Sequence, residues 1–465
     1  MFRIRTHKRD FLDMWNARMC RPNVEPLFDS VVIAVLHKQG FHDIPYIPRN
    51  IYKPEALYDS LSHYDPECSF FVDLKCPEVQ AGGKLVWKCF AKPKNIAPLS
   101  AVRLDGPMSE VYDLLGIKGE KSAGLTAYGQ TKLEAFPTAM RKVKELLAGE
   151  RNPEPCLAGT RTQAGKEGRL IWGYPLSMTI LEGCIARPIL EYFKGHQNTP
   201  MAFGRPSAML GIQMRKAASH TEHYVSMDAS KFDATVQAGV IKYGFNALRT
   251  WFDLNEEVGY GCTVGKIFDI VEDYFIRTPI VMPSEDGPKL YSGKRHGVPS
   301  GSYFTQMIDS IANVMMIGTL DHRFKLGLRS EEIFVLGDDM LFFTNKKPNL
   351  DAYANLLSQR FGMNINAKKS SFGKSTSTIP FLGRNWTNGI PTRSFENAIA
   401  RAVAPERYRD YGKDKWMGAS AVVGSYGLTA MITGMPERFD PYGGLASMHM
   451  VENATSGLTA FLQRE

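Results

Sequence analysis

Two adjacent aspartates, Asp338 and Asp339, lie between apolar runs at 333–336 (Ile-Phe-Val-Leu) and 340–343 (Met-Leu-Phe-Phe). Flanks of this kind favour burial, and an ionised carboxylate is expensive to bury unless it is paired, protonated or bound to a metal. An Asp-Asp pair is also common in ordinary surface turns. The apolar flanks therefore favour a site that binds a cation, and other acidic residues have to be examined with the pair.

Two further acidic residues have a similar setting. Asp228 follows the short apolar run His-Tyr-Val-Ser-Met (223–227), and Asp233 comes five residues later. Carboxylates at neighbouring strand ends repel one another unless cations neutralise them, and carboxylate oxygens suit Mg²⁺ or Mn²⁺. Two such ions about 3.5–4 Å apart clamp the attacking and leaving oxygens of a phosphoryl transfer. The acidic residues therefore predict metal-assisted phosphoryl transfer.

A glycine loop (residues 297–303, Gly-Val-Pro-Ser-Gly-Ser-Tyr) precedes a predicted helix. On that helix Thr305, Asp309 and Asn313 are spaced by four residues and share one face. This polar stripe begins at the glycine loop and could line a site, with Ser300 and Asn313 hydrogen-bonding a ribose. The alternative is an ordinary helix N-terminus with a serine cap and polar surface residues. A second stripe is apolar and suited to packing: Met307, Ile311 and Met315.

The hydrophobic patterns predict the elements that position these groups. They comprise a strand at 223–227, a helix at 303–320, a strand–turn–strand hairpin around Gly337-Asp338-Asp339, an amphipathic helix at 350–361, and a hairpin turning at Asn388-Gly389. Roughly the first 200 residues are expected to be irregular because proline and glycine interrupt them often. The fold class predicted is α+β with an antiparallel sheet.

Composition narrows the class of protein. The 465 residues exceed one simple core and predict two or three lobes, and the net charge of +8 mildly favours an anionic partner. The seven cysteines form no CxxC pair, which argues against a zinc site or a disulfide framework and favours a reducing compartment. No apolar window reaches the length of a membrane span, so a soluble protein with no membrane partner is expected.

Taken together, these motifs resemble those of the viral RNA-dependent RNA polymerases, and are most similar to the partitivirus and picobirnavirus group of double-stranded RNA viruses. Asp228-x4-Asp233 resembles motif A, Ser300-Gly301-x3-Thr305-x7-Asn313 motif B, and Gly337-Asp338-Asp339 motif C. Lys369 resembles the motif D lysine, residues 381–386 (FLGRNW) motif E, the basic residues Arg161, Lys166 and Arg169 motif F, and residues 121–125 (KSAGL) motif G. The matches run in family order through most of the chain.

The resemblance implies a right-handed polymerase of fingers, palm and thumb. The fingers would comprise residues 1–222 and an insertion at 246–296, the palm 223–245 (motif A) and 297–395 (motifs B to E), and the thumb 396–465. It implies that three acidic residues hold the metals and that a lysine gives a proton to the departing pyrophosphate: Asp228, Asp338, Asp339 and Lys369. Lys368 is an alternative to Lys369. The substrate-binding residues implied are Arg161, Lys166, Arg169, Asp233, Ser300, Gly301, Thr305 and Asn313.

The implied cofactor is Mg²⁺, for which Mn²⁺ can substitute. The implied partners are an RNA template and product, ribonucleoside triphosphates and a viral capsid protein, in the virion interior or host cytoplasm. A reverse transcriptase is disfavoured because it usually carries a bulky aromatic residue at the position of Asp233. A non-catalytic RNA-binding protein on the same scaffold is disfavoured because Asp228, Asp338 and Asp339 are all present.

Overall fold

The structure is a computed structural model that describes residues 1–6, 12–23, 27–44, 51–163, 166–196, 199–405 and 409–431. The helices are α1 Asp13–Met19, α2 Ser30–Lys38, α3 Pro54–Ser62, α4 Pro77–Phe90, α5 Met108–Leu115, α6 Lys132–Leu147, α7 Leu176–His196, α8 Ser207–Ala218, α9 Phe232–Thr235, α10 Ala238–Arg249, α11 Val264–Arg277, α12 Thr305–Phe324, α13 Leu350–Phe361, α14 Phe395–Val403 and α15 Lys415–Met431. No helix in these ranges has the length and apolar character that a bilayer crossing requires.

The strands of the described residues form four sheets. They are β1 Arg3–Thr6, β2 Cys156–Gln163, β3 Lys166–Gly173, β4 His223–Met227, β5 Glu257–Gly259, β6 Cys262–Thr263, β7 Ile280–Met282, β8 Lys289–Ser292, β9 Ile333–Leu336, β10 Asp339–Thr344, β11 Ser371–Lys374, β12 Ile379–Phe381, β13 Arg384–Thr387 and β14 Ile390–Thr392.

The central sheet has the order β11-β4-β10-β9, and every neighbouring pair in it is antiparallel. Strand β10 pairs Met340 with Met227 of β4, and its first residue Asp339 with Leu336 of β9. The apolar runs on both sides of the Gly-Asp-Asp turn are thus the two arms of a hairpin. The predicted antiparallel sheet and α+β class are confirmed, and strand β4 and helix α13 have the predicted bounds.

Helix α12 passes through the core. It begins two residues later and ends four residues later than predicted, and it is buried continuously from Met307 to Leu320. Its main partner is α4. A Cβ on Gly318 would lie 2.8 Å from the Cα of Gly82, and a Cβ on Gly82 would lie 2.1 Å from the Met315 carbonyl oxygen. Only glycine permits the two backbones to approach this closely.

The expectation that roughly the first 200 residues are irregular is wrong for much of the described part. Helices α4, α6 and α7 have 14, 16 and 21 residues. Several glycines and prolines of this region lie inside these helices, as Gly82, Gly83, Pro137 and Pro188. Packing against the core outweighs their poor helix propensity.

Two of the three remaining sheets carry motifs that the sequence predicts. The five-stranded sheet β1-β8-β7-β2-β3 carries the basic hairpin β2–β3. In the three-stranded sheet β12-β13-β14, the predicted hairpin turns at Asn388 and Gly389, whose φ angles of 52° and 78° are those of a type I′ turn. The described part of the predicted thumb (396–405 and 409–431) is largely helical, as expected, and the remainder of 396–465 lies outside the described residues.

Candidate active site

The acidic residues converge at one end of the central sheet. Asp228 directly follows β4 and Asp339 begins β10, and because Met227 pairs with Met340 these two carboxylates flank the same edge. Asp338 occupies the turn beside them, after Gly337, whose φ of +61° is in the left-handed region that glycine adopts without strain. The short helix α9 contributes Asp233. The antiparallel register thus assembles the acidic residues that are separate in sequence.

Charge repulsion is visible at this cluster. The pKa of Asp339 is raised to about 7, first by the protein atoms around it and then by the negative charges of Asp338 and Asp228. Its side chain still reaches solvent, so the repulsion is a firmer cause than burial. The pKa of Asp233 is raised to about 6 by burial and by Asp338, and is lowered by Arg169. The cluster is therefore unfavourable when fully ionised and would gain from bound cations.

The cluster is open, however. Across the described residues, no group of three or more His, Cys, Asp or Glu side chains converges closely enough to chelate one ion. Mg²⁺ typically takes only one or two carboxylates, and water and substrate phosphates complete its coordination. The oxygen donors of Asp228, Asp338 and Asp339 fit an ion of this kind.

Two side chains of helix α12 hydrogen-bond the Gly-Asp-Asp turn. The Asn313 side-chain amide donates to the Gly337 carbonyl at 2.7 Å, and the Gly337 N–H donates to the Ser310 hydroxyl at 3.2 Å. Both side chains are fully buried. The predicted ribose-reading residue Asn313 thus also fixes the turn, and Ser310 is a support that the sequence analysis did not single out.

Asp309 has a different position on the same helix. It is 2% exposed, and its Oδ1 has no hydrogen-bond partner within the described structure. Burial and the negative charges of Asp233 and Asp338 raise its pKa well above the ordinary value. The raised pKa favours the protonated form of this carboxyl, which can donate a hydrogen bond. The sequence predicts only that Asp309 lies on the polar face of the helix.

The start of the glycine loop is fastened to the motif A segment. The Gly297 and Val298 N–H groups donate to the carbonyls of Val236 and Asp233 at 2.8 and 2.7 Å. Lys294 is fully buried, and its ammonium donates to the carbonyls of Phe275, His296 and Gly297. Burial without a carboxylate partner lowers its pKa to about 7, while three carbonyls match the three donors of an ammonium.

The middle of the loop contacts the end of the basic hairpin. The Ser300 hydroxyl accepts from the Trp172 N–H at 3.2 Å, and Ser300 is otherwise exposed. A Cβ on Gly301 would lie 2.1 Å from the Trp172 carbonyl oxygen, so this position needs glycine. The Thr305 hydroxyl donates within the loop, to the carbonyls of Pro299 and Ser302. The Thr305 side chain therefore stabilises the backbone of the loop.

Two arginines of the hairpin β2–β3 occupy paired positions. Arg161 lies directly opposite Arg169, and both are exposed. Like charges at paired positions are unfavourable unless an anion lies between them. Gln163 pairs with Lys166 after an irregularity; the side chain of Lys166 lies outside the described set. This hairpin can hold a polyphosphate.

Lys369 lies beside the carboxylates. Its Nζ is 3.7 Å from Asp228 Oδ1, and both side chains are partly exposed. The same segment brackets Asp228, because the Asp228 N–H donates to the Ser370 hydroxyl and its carbonyl accepts from the Asn366 N–H. The backbone N–H of Lys368 donates to the side-chain oxygen of Asn366. The ammonium of Lys369 is thus near the acidic cluster.

A groove of about 970 Å³ adjoins the glycine loop. It reaches Leu336, the residue before the Gly-Asp-Asp turn, and Arg384 and Trp386 of β13. Among the described residues that line it, a single acidic side chain, Glu191, accompanies these basic ones: Lys118, Lys121, Lys132, Arg187, Lys194, Arg205, Arg384 and Arg393. We name it the basic groove; a polyanion fits this charge.

Comparison with known proteins gives one family. The family model described as viral RNA-dependent RNA polymerase matches residues 157–403. Relatives include the RNA-directed RNA polymerase of Cryptosporidium parvum virus 1 (32% identical over 169 residues, 35% of this chain and 30% of the relative). That of Atkinsonella hypoxylon virus is 35% identical over 128 residues, 25% of this chain and 19% of the relative. The chain spans less than half of each curated relative's length, including the white clover cryptic virus 1 enzyme, at 47%.

Solved structures give the same fold. The RNA-dependent RNA polymerase of a human picobirnavirus, as an insertion-loop deletion mutant, superposes with a TM-score of 0.67 at 14% identity and covers 98% of this chain and 97% of its own. The Sicinivirus 3Dpol RNA-dependent RNA polymerase gives a TM-score of 0.61 at 16% identity, over 81% of both chains. The predicted polymerase architecture is confirmed at the level of the fold.

Proposed function

The chain belongs to the viral RNA-dependent RNA polymerase family, and we propose that it joins ribonucleoside triphosphates on an RNA template. The observation that carries this proposal is the convergence of Asp228, Asp338 and Asp339 at one sheet edge, next to a basic groove. In the reaction, the 3′-hydroxyl of the growing RNA bonds to the α-phosphorus of the triphosphate and loses its proton. The bond from that phosphorus to the β-phosphate bridge breaks, and pyrophosphate leaves.

We assign the metal-binding role to the three sheet-edge acids, Asp228, Asp338 and Asp339. Bound Mg²⁺, or Mn²⁺ in its place, would supply charge stabilisation at the reacting phosphate, two ions being the usual arrangement for such transfers. Two features support this role: the negative charges of Asp338 and Asp228 add to burial in raising the pKa of Asp339, and the donors are the oxygens that these ions prefer.

The remaining predicted residues handle the substrate in this proposal. Arg161, Lys166 and Arg169 neutralise the triphosphate, since guanidinium groups match phosphate oxygens in a bidentate manner. Lys369 gives a proton to the departing pyrophosphate. A separate set handles the sugar and the loop: Asp233, Ser300 and Asn313 read the ribose hydroxyls, which distinguish RNA from DNA building blocks, and Gly301 and Thr305 shape the loop.

The test is template-dependent incorporation of labelled ribonucleotides with Mg²⁺ or Mn²⁺, comparing the native chain with Asp338→Ala. Activity in the native chain that disappears in the variant supports the proposal, and Asp351→Ala, an exposed acid on α13, is the matched control. Equal activity in all three would indicate a contaminant. Silence in the native chain with RNA still bound would favour a non-catalytic RNA-binding protein.

Three further parts of the proposal concern context. The genome copied is double-stranded RNA, the protein partner is the viral capsid protein, and the reaction takes place in the virion interior or host cytoplasm. They are supported by the resemblance of the motifs to partitivirus and picobirnavirus polymerases. Co-purification with the capsid protein from infected cells tests the partner and the virion location. A polymerase found only free of capsid would exclude that partner.

The division into fingers (1–222 and 246–296), palm (223–245 and 297–395) and thumb (396–465) is also proposed. It predicts that product RNA crosses the palm and contacts the described thumb residues 396–405 and 409–431. A structure with RNA bound that showed the duplex away from them would change the division.

A further inference from the structure

Helix α12 begins without a capping side chain of its own. Phe304 occupies the N-cap position and makes no side-chain capping bond. The two residues before Phe304 are held from α7: Oε2 of Glu182 accepts from the Tyr303 N–H and from the Ser302 hydroxyl, both at 2.8 Å. The Ser302 hydroxyl in turn accepts from the Phe304 N–H at 3.0 Å. One carboxylate from another element thus binds the two loop residues that precede the N-cap of α12.

Glu182 is an unusual residue at this place. It is 0% exposed, and its second oxygen, Oε1, is buried with no hydrogen-bond partner among the described residues. Burial raises its pKa to about 7. A buried carboxylate is usually retained only where its contacts define a particular geometry, because an apolar side chain of similar volume is often as stable.

The position of Glu182 connects it with the basic groove. Ser302 and Tyr303, its two donors, line the groove, and so does Lys132, whose positive charge favours ionised Glu182. Tyr303 is held on its other side by a bond from its hydroxyl to the Leu115 carbonyl at 3.1 Å. Glu182 therefore lies directly beneath the end of the glycine loop that forms the groove wall.

We propose that Glu182 is a positioning residue that holds the Ser302–Tyr303 end of the glycine loop against the basic groove, so that template RNA meets a preformed wall. Glu182 accepts its hydrogen bonds from Ser302 and Tyr303, which belong neither to the predicted metal-binding acids nor to the basic hairpin. Its effect is exerted through Ser302 and Tyr303. The role in template binding rests on the proposed polymerase function, whereas the anchoring itself does not.

Three variants distinguish the loss of these hydrogen bonds from a general loss of folding. Glu182→Gln keeps an acceptor oxygen for both donors. Glu182→Leu removes the acceptor but leaves an apolar side chain of similar size, which a buried site tolerates. Ser302→Ala keeps the Tyr303 bond to Glu182 and removes the Ser302 bond, together with the bond that the Phe304 N–H donates to Ser302. It serves if the Leu variant does not fold.

Hydrogen exchange at the amides of residues 302–305 measures the anchoring without any need for activity. We expect exchange of the Tyr303 amide to be at least about tenfold faster in Glu182→Leu, since a charge-assisted hydrogen bond is lost. It should be less increased in Ser302→Ala, which keeps the Tyr303 bond, and close to native in Glu182→Gln. The amides of α13, which is remote in sequence, are the internal reference. Unchanged exchange in the Leu variant, or equal acceleration in the Gln variant, overturns the proposal.

Steady-state incorporation then tests the functional part. The apparent KM for template RNA should rise about tenfold in Glu182→Leu with kcat within about threefold of native, and Glu182→Gln should restore KM. Equal loss of kcat in both variants overturns the positioning role. A native chain without polymerase activity would refute the proposed function, while the exchange data would still decide whether Glu182 anchors the loop.

Discussion

The acidic cluster and the basic groove adjoin the same loop and carry opposite excess charge. At the sheet edge, burial and the negative charges of Asp338 and Asp228 together raise the pKa of Asp339 to about 7. In the groove, eight Lys and Arg side chains accompany one Glu among the described lining residues. Each region by itself is electrostatically unfavourable. The acidic cluster and the basic groove therefore each suit a ligand of the opposite charge, cations at the sheet edge and a polyanion in the groove.

Removing a carboxylate should give the largest effect. We expect Asp228→Asn to slow incorporation by at least about a thousandfold, because the proposed metal ligand is lost, and Asp339→Asn to slow it less. RNA affinity should stay within about threefold, since the groove is intact. Single-turnover incorporation and filter binding measure the two quantities. A parallel fall in rate and RNA affinity would show that the two regions are not separable.

Neutralising the groove should have the opposite pattern. Replacing Lys118, Lys121 and Lys194 with Gln should weaken RNA binding and lower the slope of log affinity against log salt by about two, since each phosphate contact contributes roughly 0.7–0.9. Binding isotherms between about 50 and 200 mM salt measure the slope. Substituting Lys346 and Lys347, exposed lysines after the other end of β10, is the matched control. A salt response that is flat in the native chain would remove the groove as the RNA path.

Replacing a residue that is proposed to read the ribose should give a smaller change. We expect Asn313→Ala to relax the preference for ribonucleotides about tenfold, and also to slow incorporation because the Gly337 carbonyl loses its donor. Relative incorporation of ribo- and deoxynucleotides measures this effect. Slower incorporation with unchanged discrimination would limit Asn313 to supporting the turn. Asp309→Ala is the informative companion, because Asp309 is the neighbour on α12 that has an unpartnered carboxyl oxygen.

The smallest expected effect is the pH dependence of stability from Glu182. Its pKa rises from 4.5 unfolded to about 7 folded, so the folded state binds more protons between these values. The free energy of unfolding therefore falls as pH rises from 4.5 to 7. We expect a few degrees of midpoint shift in the native chain across this window, and a smaller shift in Glu182→Gln.

The difference between these two proteins isolates Glu182 from the other groups that face it, which are Lys132 on α6, Tyr174 before α7, and Tyr303. Identical midpoints at each pH in both proteins would show that burial of Glu182 has no effect on stability.

Local patterns predicted the site's elements well. Strand β4 and helix α13 have the predicted bounds, and the hairpins at 337–339 and 388–389 form where expected. Such elements depend on periodicity and turn chemistry within a few residues. The roles of Asp228, Asp338 and Asp339 remain predictions from the motifs.

Prediction failed where packing between distant segments decides. The regularity of α4 was missed because Gly82 and Gly83 lower its helix propensity, although Gly82 permits the close crossing with α12. Glu182 gave no signal, because its donors are Ser302 and Tyr303, about 120 residues away. The groove was not predicted either, because its basic residues come from segments between Lys118 and Arg393.

The sequence by itself determined the chemical groups, their order and the short elements that carry them, because turn residues and apolar periodicity act locally. Tertiary structure alone decided which groups meet. The register of β4 with β10 brings Asp228 to Asp339, the burial of α12 directs Asn313 to Gly337, and α7 brings Glu182 to the glycine loop. These contacts join residues 24 to 121 positions apart, and only the collective packing of the core fixes contacts at such separations.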